Sequence, residues 1–263
     1  MIRGGVVGWP IGHSLSPLIH GAWIDVAGLD ATYEAFAAPD EAAFDALVRQ
    51  GREGMLRGLN VTAPWKLRAL AAADEATDTA RRAGSANLLA FRDGRLVADS
   101  TDGQGLLDAL GEQAPDLALQ GARATILGAG GAARAAVAAL QDAGAVVGVV
   151  NRSLDRVREL AETLGALPQT TDDLDTADLI VNALPVDPEL DVRRLKPSAV
   201  VMDMTYRPLI TPFLSAARDS GLTIVDGLAM LIGQARPSFS AIFGAAVPDV
   251  DVRALCLEAL EGS

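Results

Sequence analysis

The chain has 263 residues, of which 50% are hydrophobic and 21% are charged, and its formal net charge is −12. This length and composition are typical of one large or two modest globular domains, and they exclude a disordered chain, a collagen and a bare coiled coil. The acidic balance argues against a nucleic acid partner, because such partners are held by clustered Lys and Arg side chains.

The composition also limits metals and membranes. Cys256 is the only cysteine, which excludes an internal disulfide and a Cys-rich metal site. The chain has two histidines and no His-Glu-x-x-His motif, and we therefore expect no metal. No basic segment followed by an apolar run opens the chain, and no apolar run has transmembrane length. These patterns predict a cytoplasmic protein without a membrane partner.

The N-terminal part of the chain alternates predicted strands and helices. Its predicted strands cover residues 3–8, 31–37, 57–61, 86–92 and 95–99. Ser16 as N-cap and Pro17 as first helical residue are expected to open a helix. A second helix is predicted over residues 40–50 from its apolar periodicity. The pair Asp93-Gly94 predicts a hairpin between the last two strands.

A second series of strands and helices begins near Gly103. Its predicted strands cover residues 122–127, 146–150, 178–183, 199–204 and 222–225, and its predicted helices cover residues 103–110, 132–143, 154–164, 228–243 and 251–260. Repeated strand–helix units predict a parallel sheet with helices on both faces. No Phe, Trp or Tyr lies between Gln104 and Thr205, which indicates domain junctions near residue 103 and in the low 200s.

A glycine-rich segment in this second series has the pattern of a dinucleotide site. Gly128, Gly130 and Ala133 follow a predicted strand, open a predicted helix and match G-x-G-x-x-A. The first glycine permits a tight turn, the second lets the backbone approach a pyrophosphate, and the alanine allows close helix–strand packing. A helix N-terminus also attracts phosphate groups. The alternative is a plain glycine turn, but the strand–turn–helix context favours a dinucleotide.

The end of the next predicted strand favours NADP over NAD. An NAD site usually carries an acidic residue there, which binds the ribose 2′-hydroxyl. This chain has Asn151, Arg152 and Ser153 instead, followed by Arg156. Two guanidinium groups suit a 2′-phosphate. The alternative is an ordinary solvated helix start.

Three polar clusters are candidates for a reacting site. Ser14 and Ser16 can bind a carboxylate beside a helix N-terminus, although Ser16 also has the pattern of a simple helix cap. Lys66 lies on the predicted first turn of a helix, where a cation opposes the helix dipole, although most lysines are solvated surface charges. Asp102 follows a predicted strand, and its alternative role is a helix N-cap.

Taken together, these segments resemble the shikimate dehydrogenase family and its quinate-using relatives. The segments that carry the resemblance are GWPIGHSLSP from Gly8, NVTAPWK from Asn60, GAGGA from Gly128, NRS from Asn151, DMTYRP from Asp203 with TP at Thr211, and DGLAMLIGQA from Asp226. They occur in the order of the family and extend over nearly the whole chain. The Asn-Val-Thr-x-Pro-x-Lys segment and the Gly-x-x-Met-Leu-x-x-Gln-Ala segment are the most specific.

The resemblance implies an NADP-dependent oxidoreductase that acts on a CH–OH group. The implied reaction is the reversible reduction of 3-dehydroshikimate to shikimate in the biosynthesis of aromatic amino acids. The implied catalytic residues are Lys66 and Asp102. The implied substrate ligands are Ser14, Ser16, Thr62, Lys66, Asn87, Asp102, Tyr206 and Gln234, with the two serines and Tyr206 at the carboxylate. The implied NADP ligands are Gly128, Ala129, Gly130, Gly131, Ala132, Asn151, Arg152, Ser153, Arg156, Met204 and Gly227.

The resemblance also implies an α/β fold of two domains with a cleft between them. The substrate domain is expected to comprise residues 1–103 and 228–263, because Gln234 must reach the substrate. A Rossmann-type NADP domain is expected over residues 104–227. The chain is expected to be a monomer or a homodimer.

Three departures from the family pattern bear on specificity. Ser100 replaces an asparagine beside Asp102, and Leu88 replaces a threonine after Asn87. Residues 183–186 read Ala-Leu-Pro-Val, where the family has a threonine-containing segment. Two alternatives therefore stay open: a quinate or relaxed dehydrogenase, and a non-catalytic NADP-binding sensor on the same fold.

Overall fold

The chain folds into two compact units in a computed structural model that describes residues 1–262. Unit 1 consists of Met1–Thr101 together with the segment from Gln234 onward, and unit 2 is Asp102–Gly233. The sequence predicts domain boundaries after residues 103 and 227. Among the residues described, none of the helices has the length and apolarity needed to cross a membrane.

Unit 1 contains a mixed six-stranded sheet. Its strands are β1 (Ile2–Gly8), β2 (Ala31–Ala37), β3 (Gly58–Val61), β4 (Glu75–Ala76), β5 (Leu88–Arg92) and β6 (Arg95–Asp99), and its first helices are α1 (Ser16–Ala27), α2 (Glu41–Arg52), α3 (Lys66–Ala71) and α4 (Asp78–Ala83). The strand order is β2-β1-β3-β5-β6-β4. β1 is parallel to β2 and β3, whereas β5 is antiparallel to β3 and β6. Asp93 and Gly94 both have positive φ, 52° and 76°, as the predicted hairpin turn requires.

Unit 2 contains a wholly parallel six-stranded sheet. Its strands are β7 (Arg123–Leu127), β8 (Val146–Val150), β9 (Leu167–Pro168), β10 (Leu179–Asn182), β11 (Val200–Asp203) and β12 (Thr223–Val225), and its helices are α5 (Asp102–Gln113), α6 (Gly131–Asp142), α7 (Leu154–Leu164) and α8 (Pro212–Asp219). The order β12-β11-β10-β7-β8-β9 is that of a doubly wound sheet. The strands from β7 to β9 are added on one side of β7, and those from β10 to β12 are added on its other side, so the strand order reverses between β7 and β10. The division between the units falls inside α9 (Gly227–Phe243), and α10 (Val252–Glu261) follows.

The two units differ in how they build their cores. The larger cluster in unit 2, around β7, β8 and α6, consists of Ala, Val, Leu, Ile and Met side chains. A second cluster in unit 2 contains one aromatic residue, Phe213. In unit 1, by contrast, aromatic side chains from α1, β2 and α9 pack against one another. The aromatic gap in the sequence therefore corresponds to the aliphatic packing of a parallel sheet.

His20 lies inside the aromatic cluster of unit 1. Its ring stacks on Tyr33 with the ring centroids 4.0 Å apart, and it meets Trp23 edge-on at 5.6 Å. His20 has no solvent exposure, and neither ring nitrogen has a hydrogen-bond partner. Burial without a partner penalises the charged form, and it lowers the pKa of His20 from 6.5 to about 3.

We predict that His20 makes the protein acid-sensitive. The native state keeps His20 neutral, whereas the unfolded chain binds a proton below about pH 6.5, so acid stabilises the unfolded state. Between pH 8 and pH 5 this linkage should lower the free energy of unfolding by about 2 kcal/mol. Urea unfolding of the wild-type protein and of His20→Phe at both pH values measures it. The wild type should lose about that much more stability than the variant, and parallel losses would refute the prediction.

Candidate functional site

The sheet of unit 1 gathers its polar loops at one edge. The register pairs Val7 with Val61, Asn60 with Leu88, and Leu88 with Asp99. The carboxyl ends of β1, β3 and β6 therefore lie beside the amino end of the antiparallel β5. Binding sites in α/β proteins form where strand ends of this kind meet. We call this region the substrate edge: the segments that follow β1, β3 and β6 and the segment that precedes β5.

The segment after β1 carries Ser14 and Ser16. The Oγ of Ser14 accepts a hydrogen bond from the Ser16 N–H at 3.3 Å. Leu15 already has helical dihedral angles, φ −84° and ψ −7°, so it occupies the N-cap position of α1. The predicted capping role of Ser16 is therefore wrong, because Ser16 is the first helical residue and Pro17 the second. Leu15 makes no side-chain cap bond, and the Ser14 Oγ accepts from the first helical N–H, so both serines lie at the N-terminus of α1.

The segment after β3 carries Thr62 and Lys66. The Thr62 N–H donates to the Val7 carbonyl at 2.9 Å, which ties this segment to β1. Lys66 is the first residue of α3 and is half-buried. Its carbonyl accepts a hydrogen bond from the Ala86 N–H at 2.9 Å, just before β5. Backbone bonds therefore connect this segment to β1 and to the residues that precede β5.

Asn87 and Gln234 form the buried floor of the substrate edge. The Asn87 Nδ2 donates to the Gln234 Oε1 at 3.1 Å and to the Thr101 Oγ1 at 2.9 Å. The Thr101 N–H donates back to the Asn87 Oδ1 at 2.7 Å, and the Thr101 hydroxyl donates to the Gln234 carbonyl at 3.0 Å. All three residues are at most 8% exposed. The structure therefore holds these amides in a fixed, desolvated arrangement.

A second set of buried polar residues lies beneath this floor, and the sequence did not identify it as functional. The Tyr33 hydroxyl donates to the Asn60 Oδ1 at 2.8 Å, and burial raises the Tyr33 pKa well above its usual range, so the hydroxyl stays a donor. The Asn60 Nδ2 donates to the Ser238 Oγ at 2.8 Å and to the Asn87 carbonyl at 3.2 Å. The available signal was a polar residue within an apolar run: Asn60 in β3 and Ser238 in α9.

In unit 2, the glycine turn has the geometry that a pyrophosphate site needs. Gly128 has φ +118°, and a Cβ there would lie 3.3 Å from the Ala183 carbonyl, so any other residue would be strained at this position. Gly130 is the N-cap of α6, and a Cβ built on it would meet no atom within 4 Å. Ala133 is fully buried in the core. The α6 terminus is therefore open on one side and closely packed on the other.

Arg152 and Arg156 lie at the start of α7, beyond the end of β8. Both are exposed, and neither guanidinium forms an ion pair with the residues that the structure describes. Asp155, which lies between them in sequence, pairs instead with Arg158 at 3.0 Å. The side chain of Asn151 donates to the Ser153 carbonyl at 3.4 Å. Two uncompensated cations at this position suit a 2′-phosphate group.

A buried carboxylate supports the loops after β10 and β11. The Asp203 Oδ2 accepts hydrogen bonds from the Thr211 hydroxyl at 2.8 Å and from the Asn182 Nδ2 at 3.2 Å. Met204 follows directly, and a Cβ on Gly227 would lie 2.5 Å from its carbonyl oxygen, so glycine is required there. Tyr206 is half-buried in the same loop.

The predicted site residues thus divide between the units. Unit 1 contains Gln234, which bonds to Asn87, and it carries the other predicted residues in the segments that follow β1 and β3: Ser14, Ser16, Thr62 and Lys66. Unit 2 contains Asp102, the buried first residue of α5, together with Tyr206 and all the predicted cofactor ligands. Within residues 1–262, no group of three or more His, Cys, Asp or Glu side chains is arranged to hold a metal ion.

NADP fits the part of unit 2 that the sequence singled out. The open α6 terminus at Gly130 leaves room for a diphosphate, and the unpaired Arg152 and Arg156 supply positive charge for the additional phosphate. The turn lies where the strand order reverses, which is the position of nucleotide sites in sheets of this topology.

Comparison with known proteins gives matches over both units. Residues 6–89 match the family model described as shikimate dehydrogenase substrate binding domain. Residues 110–187 match the model described as shikimate / quinate 5-dehydrogenase. A relative named shikimate dehydrogenase (NADP(+)), from Caulobacter vibrioides, is 50% identical, and the match covers 98% of this chain and 96% of the relative.

Two solved structures are similar to the whole chain. Shikimate 5-dehydrogenase from Thermus thermophilus, in complex with NADP(H) and shikimate, has a TM-score of 0.90 and 36% identity, covering 99% of this chain and 100% of the other. Quinate dehydrogenase from Corynebacterium glutamicum, in complex with NAD, has a TM-score of 0.88 and 26% identity, covering 98% and 99%. With this identity and coverage, and with the family's motifs at the substrate edge and the glycine turn, the chain belongs to the shikimate dehydrogenase family.

Proposed function

We propose that this protein is an NADP-dependent shikimate dehydrogenase that catalyses the reversible reduction of 3-dehydroshikimate to shikimate in aromatic amino-acid biosynthesis. The observation that carries the proposal is the substrate edge, where the segments that carry Ser14, Ser16, Thr62 and Lys66 follow neighbouring strands and two buried amides, of Asn87 and Gln234, bond to each other. Such a set can bind one carboxylate and several ring hydroxyls without a metal. The 50% identity to a shikimate dehydrogenase over nearly the whole chain supports the assignment.

Different residues are assigned to the carboxylate and to the ring hydroxyls of the substrate. Ser14 and Ser16 supply hydroxyl donors at the α1 N-terminus, whose dipole favours a carboxylate. Asn87 and Gln234 carry side-chain amides, which can both donate to and accept from ring hydroxyls. Thr62 adds a hydroxyl beside them, and Tyr206 from unit 2 is assigned to the carboxylate. Both amides are buried, so their hydrogen bonds to a substrate hydroxyl would form in a desolvated environment.

Proton transfer is assigned to Lys66 and Asp102. Oxidation of a secondary alcohol removes a hydride from carbon and a proton from oxygen. NADP, when bound, accepts or returns the hydride. Lys66 bonds the reacting oxygen, takes or returns its proton and stabilises negative charge on it. Asp102 contributes the second proton-handling group.

An activity assay can distinguish the proposed function from two others, a quinate dehydrogenase and a non-catalytic NADP sensor. Leu88 and Ser100 are both buried beside Asn87 and Thr101, so they could alter which ring substituents are accepted, and a quinate dehydrogenase would result. A non-catalytic NADP sensor would keep the glycine turn without turnover. Nicotinamide absorbance with shikimate or quinate, each tested with NADP and NAD, separates these functions. We expect shikimate with NADP to give the highest kcat/KM; faster turnover of quinate, or none at all, would contradict the proposal.

Lys66→Ala should reduce kcat by about 10²- to 10⁴-fold, the range for loss of a proton-transferring group. Folding and NADP binding should be retained, because Lys66 is half-buried in unit 1 and contributes to no core cluster. Lys196 is the only other lysine in the sequence and pairs with Asp178 in unit 2, so Lys196→Ala is the matched control. Near-normal turnover of Lys66→Ala would exclude it as a catalytic residue.

Arg152→Ala should raise the KM for NADP by about tenfold or more, because charge-assisted hydrogen bonds to a phosphate are lost. The KM for NAD should change less than about twofold, since NAD lacks that phosphate. Arg158→Ala, in the adjacent helix α7 and likewise exposed, is the control for removal of a charge. Initial rates with each cofactor measure the effect, and equal weakening of NADP and NAD would disprove the 2′-phosphate assignment.

The proposal places all the site residues on one chain, so it is compatible with a monomer or a homodimer. The cytoplasmic location and the domain boundaries at residues 103 and 227 stay predictions.

A further inference from the structure

The buried polar residues beneath the substrate edge form one continuous hydrogen-bonded chain from Tyr33 to Gln234. Asn60 is the central member, and its side-chain amide is fully used: Oδ1 accepts from Tyr33, and Nδ2 donates to Ser238 and to the Asn87 carbonyl. This set of partners permits a single orientation of the amide. Asn60 is 4% exposed and Ser238 is not exposed at all, so water does not substitute for these partners.

Ser238 links the Asn60 side chain to the backbone of helix α9. Its hydroxyl accepts from Asn60 and donates to the Gln234 carbonyl at 3.0 Å. Pro237 precedes it inside α9, and a proline has no N–H to give to the carbonyl four residues earlier. The carbonyl four residues earlier is that of Gly233, which directly precedes Gln234. The Thr101 hydroxyl donates to the same Gln234 carbonyl from the end of β6.

We infer that Ser238 and Asn60 are positioning residues that hold the Gln234 side chain for the ring hydroxyls of the substrate. The inference rests on the proposed function, and it adds residues to which neither the sequence nor the family comparison gave a role. The Gln234 backbone is fixed from below by Ser238 and Thr101, and its amide is fixed from the side by Asn87 at 3.1 Å. A prearranged amide binds its ligand without an ordering cost, so loosening it should weaken substrate binding selectively.

The main test is Ser238→Ala, which removes one hydroxyl and leaves an Asn60 N–H unpaired. We expect kcat/KM for shikimate to fall about tenfold, mostly through KM, while the KM for NADP changes less than about twofold. Ser240→Ala is the matched control, because Ser240 lies on the same helix but is exposed. Thermal unfolding of each variant sets an assay temperature at which all are folded.

A double-mutant cycle separates positioning from general loss of structure. If Ser238 acts through Gln234, then Ser238→Ala should change kcat/KM by less than about twofold when Gln234 is already alanine. A merely structural role predicts the same tenfold loss in both backgrounds. Tyr33→Phe tests the far end of the chain, since it removes the donor to the Asn60 Oδ1 and leaves the two Nδ2 bonds in place; we expect a smaller loss in the same direction. If Ser238→Ala fails to fold, the cycle of Tyr33→Phe with Gln234→Ala decides the question.

The outcomes distinguish this inference from the proposed function. If the wild-type protein does not turn over shikimate, both are overturned. If the wild type is active and Gln234→Ala is impaired, but Ser238→Ala retains its KM for shikimate, the positioning role alone is overturned. Equal rises in the KM values for shikimate and NADP, or independent effects in the cycle, also overturn it.

Discussion

Asn87 is the residue on which the substrate edge depends. Its backbone N–H and carbonyl bond to Asp99 and Val61, which joins β6 and β3 across the start of β5, and its side chain bonds to Thr101 and Gln234. One buried asparagine therefore connects three strands and a helix that come from distant parts of the sequence. Because the residue is only 2% exposed, every one of these bonds lies in a low-dielectric interior, where leaving a polar group unpaired is costly. The same demand for complete pairing that stabilises the fold also presents the amides in a defined orientation for a ligand.

Because the chain is acidic, binding of an anion must depend on a few groups close to it. A net charge of −12 gives no general attraction for a carboxylate or a nucleotide phosphate. The proposed function relies on two local groups of donors instead: the α1 N-terminus with Ser14 in unit 1, and the α6 terminus with Arg152 and Arg156 in unit 2. The pairing of Asp155 with Arg158 keeps both of these arginines uncompensated, even though carboxylates predominate elsewhere. Placement of a few groups thus replaces net charge as the source of affinity.

Local patterns in the sequence were sufficient for most secondary structure but not for the interior of the site. The strands predicted over residues 31–37, 95–99 and 146–150 agree with the structure, because alternation and hairpin chemistry act over a few residues. Helix α8 was missed although Thr211 caps it with a hydrogen bond from the Leu214 N–H, and the capping assigned to Ser16 was wrong because Leu15 is already helical. The bond between Asn60 and Ser238 joins residues 178 positions apart, so nothing short of the folded topology indicates it.

The composition of unit 1 from two separate segments has a consequence for biosynthesis. Phe239 and Phe243 complete the cluster around His20 and Trp23, and they are made only after all of unit 2 has been translated. Unit 2 is continuous in sequence, so it can fold on the ribosome while the N-terminal strands still await their closing helix. The Thr101 hydroxyl and the Gln234 carbonyl, one at each end of the inserted unit, lie 3.0 Å apart in the finished protein. A unit 2 that folds first would turn a long flexible insertion into a compact one, and would thereby lower the entropy cost of joining the two halves of unit 1.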